Sequence, residues 1–151
     1  MVKLGGSAME DPVATDACLR SVATLNLLGI PIVLVHGGGK AITKAMKDAN
    51  LEARFVAGLR VTDEKAIRIV EETLSGVINP DLVQRINTLG GRAVGLAGTS
   101  VFTGRRTKAK DPSSGALVDI GFIGEIVECS TEFVDLAVKS ELVRHFRETS
   151  A

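Results

Sequence analysis

Hydrophobic positions along the chain alternate between short apolar runs and helical stripes. The run at residues 30–35 is apolar on both faces, which is typical of a central parallel strand covered by helices. It follows a helical stripe that starts at Asp11, a residue that can cap a helix before proline, and stops before Gly29. With residues 2–4 as the first strand, the β-α-β-α order predicts a parallel sheet with right-handed crossovers.

In the middle of the chain, the spacing of apolar residues predicts more helix than strand. The expected elements are helices at 40–49, 63–78 and 81–89, an extended segment at 53–56 and an interior strand at 93–97. Thr62 or Asp63 can cap the second of these helices. Asn79-Pro80 is predicted to interrupt it, because proline disfavours helical geometry at the residue before it. Gly90, next to Gly91, is expected to end the third helix in a left-handed conformation.

The last third of the chain changes character. Residues 98–120 are rich in Gly, Ser, Thr, Lys and Arg and predict a β-hairpin over the sheet edge or a ligand, with residues 111–115 as its turn. A strand at 121–127 and a helix capped at 130–131 and reaching Phe146 follow. The predicted fold class is α/β, an open, mainly parallel sheet with helices on both faces.

Composition excludes several classes of protein. The chain has 151 residues, 45% hydrophobic and 24% charged, and its 18 basic residues balance 18 acidic ones, so no nucleic-acid or anionic-membrane partner is expected. The apolar runs are too short to span a bilayer and no signal peptide is recognised, which predicts a cytoplasmic protein. Cys18 and Cys129 lack metal-ligand spacing and are expected to be reduced packing residues.

Three glycines, residues 37–39, follow the apolar run and open the next helix. Glycine lets a ligand approach the backbone, and the unpaired N–H groups of a helix start favour a phosphate or carboxylate. Gly5-Gly6 follows the first strand in the same way. The alternative is a tight strand-to-helix turn without a ligand. The loop is not a Walker A motif, because Ala41 stands where Ser or Thr would bind magnesium.

Charged residues near these glycines suggest chemistry. Lys3 is predicted to point to the face opposite Val2 and Leu4, towards the mouth where both glycine loops converge. There its ammonium could neutralise charge on a transferred phosphoryl group. The alternative is a solvated lysine at a frayed terminus. Arg60 has a planar fork suited to a carboxylate, or to a partly buried ion pair. His36 is expected to pack or to bond to its own loop, and no metal site is predicted. The basic segment 105–110 is typical of a solvated face.

Four motifs carry a resemblance to a known family. In order and spacing over residues 2–137 they are Lys-Leu-Gly-Gly-Ser-Ala-Met at 3–9, Val-His-Gly-Gly-Gly-Lys at 35–40, Gly-Leu-Arg-Val-Thr-Asp at 58–63 and Ala-Val-Gly-Leu at 93–96. They resemble the amino acid kinase family and, within it, the acetylglutamate kinases. The Gly-Leu-Arg-Val-Thr motif is the most discriminating of the four.

The resemblance implies an ATP- and Mg²⁺-dependent phosphorylation of the side-chain carboxylate of N-acetyl-L-glutamate, a step of arginine biosynthesis. Residue by residue, it implies that Lys3 stabilises the transition state and that backbone amides near Gly6 and Gly38 hold the phosphoryl group. It further implies that Gly38, Gly39 and Arg60 bind acetylglutamate, with Arg60 on the α-carboxylate.

In that family most nucleotide contacts lie in a C-terminal lobe that is not recognised here. Residues 1–151 are therefore expected to form the N-terminal, acetylglutamate-binding lobe, which would bind substrate but turn over poorly or not at all. The alternatives are a non-catalytic acetylglutamate-binding regulatory module and a nonfunctional truncation product with an exposed sheet edge. The helix at 63–78 resembles the helix through which the family dimerises, which predicts a homodimer.

Overall fold

The computed structural model describes residues 1–139 of the chain. In this range the α-helices, α1 to α6, are Gly6–Glu10, Pro12–Leu27, Gly39–Asp48, Glu64–Glu71, Asn79–Thr88 and Glu132–Lys139. The strands, β1 to β8, are Val2–Leu4, Leu34–His36, Phe55–Val56, Leu59–Arg60, Phe102–Arg106, Ala109–Lys110, Leu117–Val118 and Gly124–Cys129. A π-helix, Glu72–Ile78, joins α4 to α5, and a 3₁₀ turn covers Gly98–Ser100. None of the described helices is long and apolar enough to cross a bilayer.

The α/β class is confirmed, and the first two strands pair in parallel as predicted. Lys3 of β1 lies opposite Val35 of β2. The rest of the predicted sheet is smaller than expected, because the other strand pairs of the described residues are antiparallel and a single parallel bridge joins Thr62 to Gly121. The prediction that the second strand is buried on both faces is wrong. Val35 is 45% exposed, because it lies on the solvent face of the sheet together with Lys3.

The main hydrophobic core lies between β1, α2 and the long helix that ends in α5. Its buried members are Leu4, Leu19, Val22, Ala23, Ile78, Leu82 and Ile86. Cys18 packs against this core as predicted, whereas Cys129 is exposed, so its predicted packing role is wrong. Cys129 ends the β5–β8 ladder, whose β8 side chains are all exposed.

Two helix starts follow the prediction closely. The carboxylate of Asp11 accepts from the N–H groups of Val13 and Ala14 at 2.9 and 3.2 Å, and α2 ends before Gly29, whose φ is +82°. The carboxylate of Asp63 caps α4 in the same way. The short α1 is an addition, since no helix was predicted between the first strand and Asp11.

The predicted interruption at Asn79-Pro80 is wrong, because helical backbone continues through both residues from α4 to α5. Proline lacks an N–H, and inside an α-helix its ring meets the carbonyl of the residue four positions earlier, here Gly76. The π-helix bonds each N–H five residues back instead of four. The π-helix ends at Ile78, and Pro80 lies in the first turn of α5, where proline is tolerated.

The end of α5 is as predicted. Gly90 adopts φ +86°, and the Gly91 N–H donates to the Ile86 carbonyl at 3.0 Å, which is a Schellman closure.

The prediction of an interior strand at 93–97 is wrong, because these residues form neither helix nor strand. Side chains of the helices bond this segment instead of a neighbouring strand: Asn26 accepts from the Arg92 N–H at 2.9 Å, and Asn87 accepts from the Ala93 N–H at 2.8 Å. Asn87 also donates back to the Ala93 carbonyl at 3.4 Å. Val94 is 69% exposed, so the segment lies at the surface.

The hairpin predicted in 98–120 is confirmed in its central part. β6 and β7 pair in antiparallel fashion around a turn that begins at Asp111. The Ser114 hydroxyl and the Ser113 N–H and hydroxyl donate to the Asp111 carboxylate, and these contacts hold the pKa of Asp111 below its ordinary value. A longer antiparallel ladder, β5 with β8, flanks the hairpin. The last helix begins at Glu132, and its predicted extension to Phe146 lies outside the described residues.

Candidate functional site

The two glycine-rich strand ends converge on one cavity. Because β1 and β2 run in parallel, the loops that follow them leave the same edge of the sheet. Gly6 from the first loop and Gly38 and Gly39 from the second line a common cavity of about 380 Å³. Convergence of the two glycine loops was predicted, and the structure places Gly6, Gly38 and Gly39 together in the wall of this cavity.

The remaining walls of the cavity combine an apolar floor with charged residues at the sides. The floor is made by Met9, Val77, Ile78 and Leu82. Among the charged lining residues, Glu10 of α1 and Lys40 of α3 form an ion pair. Arg85 pairs with Asp16 and Asp81, and the hydrogen bond from Arg85 to Asp16 is the main reason that the pKa of Arg85 is raised.

Gly38 is glycine for reasons of packing. A Cβ atom at this position would lie 2.7 Å from Ile78 Cδ1 and 2.7 Å from Leu74 Cδ2. The φ of Gly38 is −178°, ordinary extended backbone, so the need for glycine comes from close approach to the π-helix. Gly39 differs, because a Cβ there would meet nothing within 4 Å.

The start of α3 offers hydrogen-bond donors to the cavity. The N–H groups of Gly39, Lys40 and Ala41 belong to the first turn and have no acceptor among residues 1–139. These donors and the positive end of the helix dipole favour an anion. The glycine loop, residues 37–39, therefore has the hydrogen-bonding character predicted for an anion site.

Arg60 lies beside the glycine loop and not in the wall of the cavity. Its Nη2 donates to the Gly39 carbonyl at 3.1 Å and to Thr43 Oγ1 at 2.7 Å, and its Nη1 lies 3.3 Å from Met46 Sδ. The guanidinium carbon is 4.7 Å from the centre of the Phe55 ring. Arg60 is thus half-buried and held against α3 by neutral groups, and it forms no ion pair with residues 1–139.

Lys3 has the orientation that strand alternation predicts. Leu4 enters the core at 2% exposure, whereas Lys3 is exposed on the opposite face. Within residues 1–139 Lys3 has no ion-pair partner, and it does not line the cavity. The structure therefore brings Gly6, Gly38 and Gly39 together. Arg60 contacts Gly39, and Lys3 lies on β1, which pairs with the strand that precedes the glycine loop.

One contact set was missed by the sequence analysis. The His36 ring bonds to its own loop as predicted, with Nδ1 3.0 Å from the Gly37 carbonyl, but its Nε2 also lies 3.4 Å from Asn79 Nδ2. Asn79 Nδ2 in turn lies 3.5 Å from the Leu96 carbonyl. The available signal was an asparagine before proline inside a helical apolar stripe, a break of a local rule that is typical of functional positions.

The basic segment 105–110 is a solvated face, as predicted. Arg105 pairs with Glu125 and Arg106 with Asp119, all of them exposed. The Gly121 N–H, followed by Arg106, holds the pKa of Asp119 below its ordinary value. None of residues 105–110 lines the cavity.

Curated relatives share the motifs over nearly the whole chain. Acetylglutamate kinase of Akkermansia muciniphila is 49% identical over 142 residues, which cover 94% of this chain and 48% of that protein. Acetylglutamate kinase of Chlorobaculum tepidum is 41% identical over 143 residues, with 95% and 48% covered. The chain spans about half the length of the curated relatives it matches.

Solved structures share the fold. The structure of smu.665 from Streptococcus mutans UA159 superposes with a TM-score of 0.71 at 22% identity, covering 91% of this chain and 53% of that one. N-acetylglutamate synthase from Neisseria gonorrhoeae, solved with coenzyme A and N-acetyl-glutamate, gives a TM-score of 0.61 at 20% identity, with 91% and 30% covered. The sequence model of the Amino acid kinase family matches residues 1–141. The resemblance seen in the motifs is confirmed: the chain belongs to the amino acid kinase family.

Proposed function

We propose that residues 1–151 form the acetylglutamate-binding lobe of an ATP-dependent acetylglutamate kinase. The observation that carries the proposal is the 49% identity to an acetylglutamate kinase over 94% of the chain. The geometry agrees with it, because Gly6, Gly38 and Gly39 line one cavity whose free backbone donors suit an anionic acceptor. The reaction transfers a phosphoryl group to the side-chain carboxylate of N-acetyl-L-glutamate.

In this proposal the chain contributes positioning and charge stabilisation. ATP supplies the γ-phosphoryl group. A carboxylate oxygen of acetylglutamate forms the new bond to phosphorus as the bond from phosphorus to the ADP oxygen breaks. The amides near Gly6 and Gly38 hold the phosphoryl oxygens, and the Lys3 ammonium offsets the negative charge that they carry. Lys3 is available for this role, since no carboxylate among the described residues pairs with it.

Arg60 is the proposed partner of the α-carboxylate of acetylglutamate. A guanidinium has five N–H donors, and both donors of Nη2 and one of Nη1 are used by Gly39, Thr43 and Met46. The other Nη1 donor and Nε–H have no partner among residues 1–139. Phe55 and α3 already restrict the Arg60 side chain. Binding of a carboxylate would therefore cost little additional side-chain entropy.

Mg²⁺ is expected from the family, but residues 1–139 offer no site for it built from protein side chains alone. They contain no group of three or more His, Cys, Asp or Glu side chains placed around a common point. Glu10, which lines the cavity, is already paired with Lys40. We therefore assign no step to Mg²⁺ on this part of the chain.

Calorimetric titration of the 151-residue chain with N-acetyl-L-glutamate tests the proposal. Arg60→Met should weaken binding about ten- to hundredfold, because hydrogen bonds to a charged group contribute about 1.5–3 kcal/mol. Arg54→Met, which removes an exposed arginine of the adjoining segment, is the matched control and should bind like the wild type. Absence of binding to the wild type contradicts the proposed function, and equal binding by Arg60→Met contradicts the role of Arg60.

Turnover separates an enzyme lobe from a complete enzyme. With ATP, Mg²⁺ and acetylglutamate, the 151-residue chain should release little or no ADP. Steady ADP release that depends on acetylglutamate and is lost in Lys3→Ala would show that the chain is active alone. Reading the coding DNA beyond codon 151 distinguishes a lobe of a kinase from a separate acetylglutamate-binding module.

We further propose a cytoplasmic homodimer that forms through residues 63–78. This segment comprises Asp63, α4 and the π-helix, and the proposal rests on its resemblance to the helix through which the family dimerises. Sedimentation equilibrium of the chain measures the association state. A monomer at all concentrations would contradict the dimer.

A further inference from the structure

Asn79 connects two segments that are distant in sequence. It is the first residue of α5, directly after the π-helix. Its side-chain nitrogen lies 3.4 Å from His36 Nε2 and 3.5 Å from the Leu96 carbonyl. One amide group therefore links the residue that precedes the glycine loop to the segment 93–97.

The hydrogen-bond geometry of this group indicates which ring nitrogen of His36 is protonated. An asparagine side-chain NH₂ has two N–H donors and no acceptor lone pair. With Nδ2 assigned as the atom that faces both the Leu96 carbonyl and His36 Nε2, the matching His36 tautomer has an unprotonated, accepting Nε2. A neutral imidazole then carries its proton on Nδ1, where it donates to the Gly37 carbonyl at 3.0 Å.

The bond from His36 fixes the plane of the next peptide. The Gly37 carbonyl and the Gly38 N–H belong to one peptide unit, and none of the peptide bonds within residues 1–139 is cis. In a trans unit the C=O and N–H point in opposite directions. With the Gly37 carbonyl held by the His36 ring, the Gly38 N–H must point away from that ring, and it has no acceptor among residues 1–139.

We propose that Asn79 is a positioning residue that, through His36, sets the direction of the Gly38 N–H in the anion site. The inference rests on the proposed function, since it assigns the anion to the glycine loop. Asn79 Oδ1 lies close to the backbone of Gly95, since a Cβ at that position would be 1.8 Å from it. The Asn79 amide has space on this side only because residue 95 is glycine.

Nuclear magnetic resonance of the 151-residue chain tests this inference. Long-range ¹H–¹⁵N spectra report which ring nitrogen of His36 is protonated, and a His36→Gln variant distinguishes its signals from those of His145. The wild type should show the Nδ1–H form alone. Asn79→Ala should add signal from the Nε2–H form, shift the Gly38 amide resonance and weaken binding of N-acetyl-L-glutamate about tenfold, the loss expected for one hydrogen bond.

Two further variants separate positioning from general destabilisation. Gly95→Ala displaces the Asn79 amide from the opposite side and should reproduce the His36 and Gly38 changes. Asn87→Ala removes an asparagine of the same helix that holds Ala93 without touching His36, and should leave both signals unchanged.

The inference is overturned if wild-type His36 carries its proton on Nε2, if Asn79→Ala and Gly95→Ala leave the His36 and Gly38 signals unchanged, or if Asn87→Ala shifts them equally. Circular dichroism identifies a variant that fails to fold. If either Asn79→Ala or Gly95→Ala fails to fold, the spectra of the other variant decide the inference. If the wild type binds no acetylglutamate, the proposed function fails, while the His36 and Gly38 signals still decide the role of Asn79.

Discussion

Substitution of Gly38 by alanine should destabilise the chain, whereas the same change at Gly39 should not. A Cβ at Gly38 would lie 2.7 Å from the terminal methyl groups of Leu74 and Ile78, although ordinary van der Waals contact begins at 3.4 Å. Both methyl groups end flexible side chains, but Ile78 is only 8% exposed and has little space to move. Overpacking of this kind costs about 1–3 kcal/mol.

The measurement is thermal or urea unfolding followed by circular dichroism. For a chain of this size each kcal/mol lowers Tm by about 2–4 °C, so Gly38→Ala should unfold about 2–12 °C earlier than the wild type. Gly39→Ala adds its methyl group to open space at the first position of α3, and its free energy of unfolding should change by less than about 0.5 kcal/mol.

A double variant identifies the contact responsible. Ile78→Val removes the Cδ1 atom that the new methyl group would meet, at its own cost of about 0.5–1.5 kcal/mol. Combined with Gly38→Ala it should destabilise by less than the sum of the two single changes, because the two sites are in contact. Equal stability of Gly38→Ala and Gly39→Ala, or strict additivity in the double variant, would refute the packing explanation.

Two more predictions concern the turns of the second half of the chain. Gly121→Ala should lower the free energy of unfolding by more than Gly115→Ala in urea titrations: both glycines have positive φ, but only at Gly121 would a Cβ lie 1.9 Å from the Thr62 carbonyl oxygen, whereas at Gly115 it would meet nothing within 4 Å. Equal losses would contradict this. The lowered pKa of Asp111 makes its turn most stable above pH 3.8, the ordinary pKa, and this contribution is lost as the pH falls through the folded value. Ser114→Ala removes its largest cause, so the Asp111 midpoint in an NMR titration should rise, and an unchanged midpoint would refute the assignment.

Helix ends were predictable from the sequence because their causes are local. Asp11 and Asp63 each bond to N–H groups two and three residues later, and Gly90 supplies a left-handed residue that a side chain disfavours. The same locality explains the turn at Asp111, whose partners lie within the next few residues. In each case the residue type alone indicates the contact.

The errors arose where residue types alone do not indicate the backbone that forms. Proline at position 80 ordinarily ends a helix, but here helical backbone continues from the π-helix into α5, and nothing in the neighbouring residue types indicates the π-helix. Periodicity predicts a buried strand at 93–97, yet Asn87 bonds the backbone of Ala93 and Asn26 bonds the preceding Arg92. The contact of Asn26 with Arg92 spans 66 positions and depends on the tertiary fold, so periodicity could not predict it.

The same distinction bears on the candidate site. The motifs located Gly6, Gly38 and Gly39, and β-α-β-α order brought them to one cavity, but the contacts that orient Arg60 and Asn79 could not be read from the sequence. Arg60 touches residues 17 and 21 positions away, and Asn79 touches a histidine 43 positions away.

The preference of the glycine loop for an anion follows from which of its backbone groups are already used. The three carbonyl groups of residues 37–39 accept, in order, from the His36 ring, from the Ile42 N–H at 2.8 Å and from Arg60 at 3.1 Å. The N–H groups from Gly38 to Ala41 have no acceptor among the described residues. A loop whose carbonyl groups already accept hydrogen bonds and whose N–H groups have no acceptor among residues 1–139 presents donors, which suit a carboxylate or phosphoryl oxygen. Because protein groups impose this polarity before any ligand arrives, the donors need no reorganisation when charge develops on the ligand, which is the condition for effective electrostatic stabilisation.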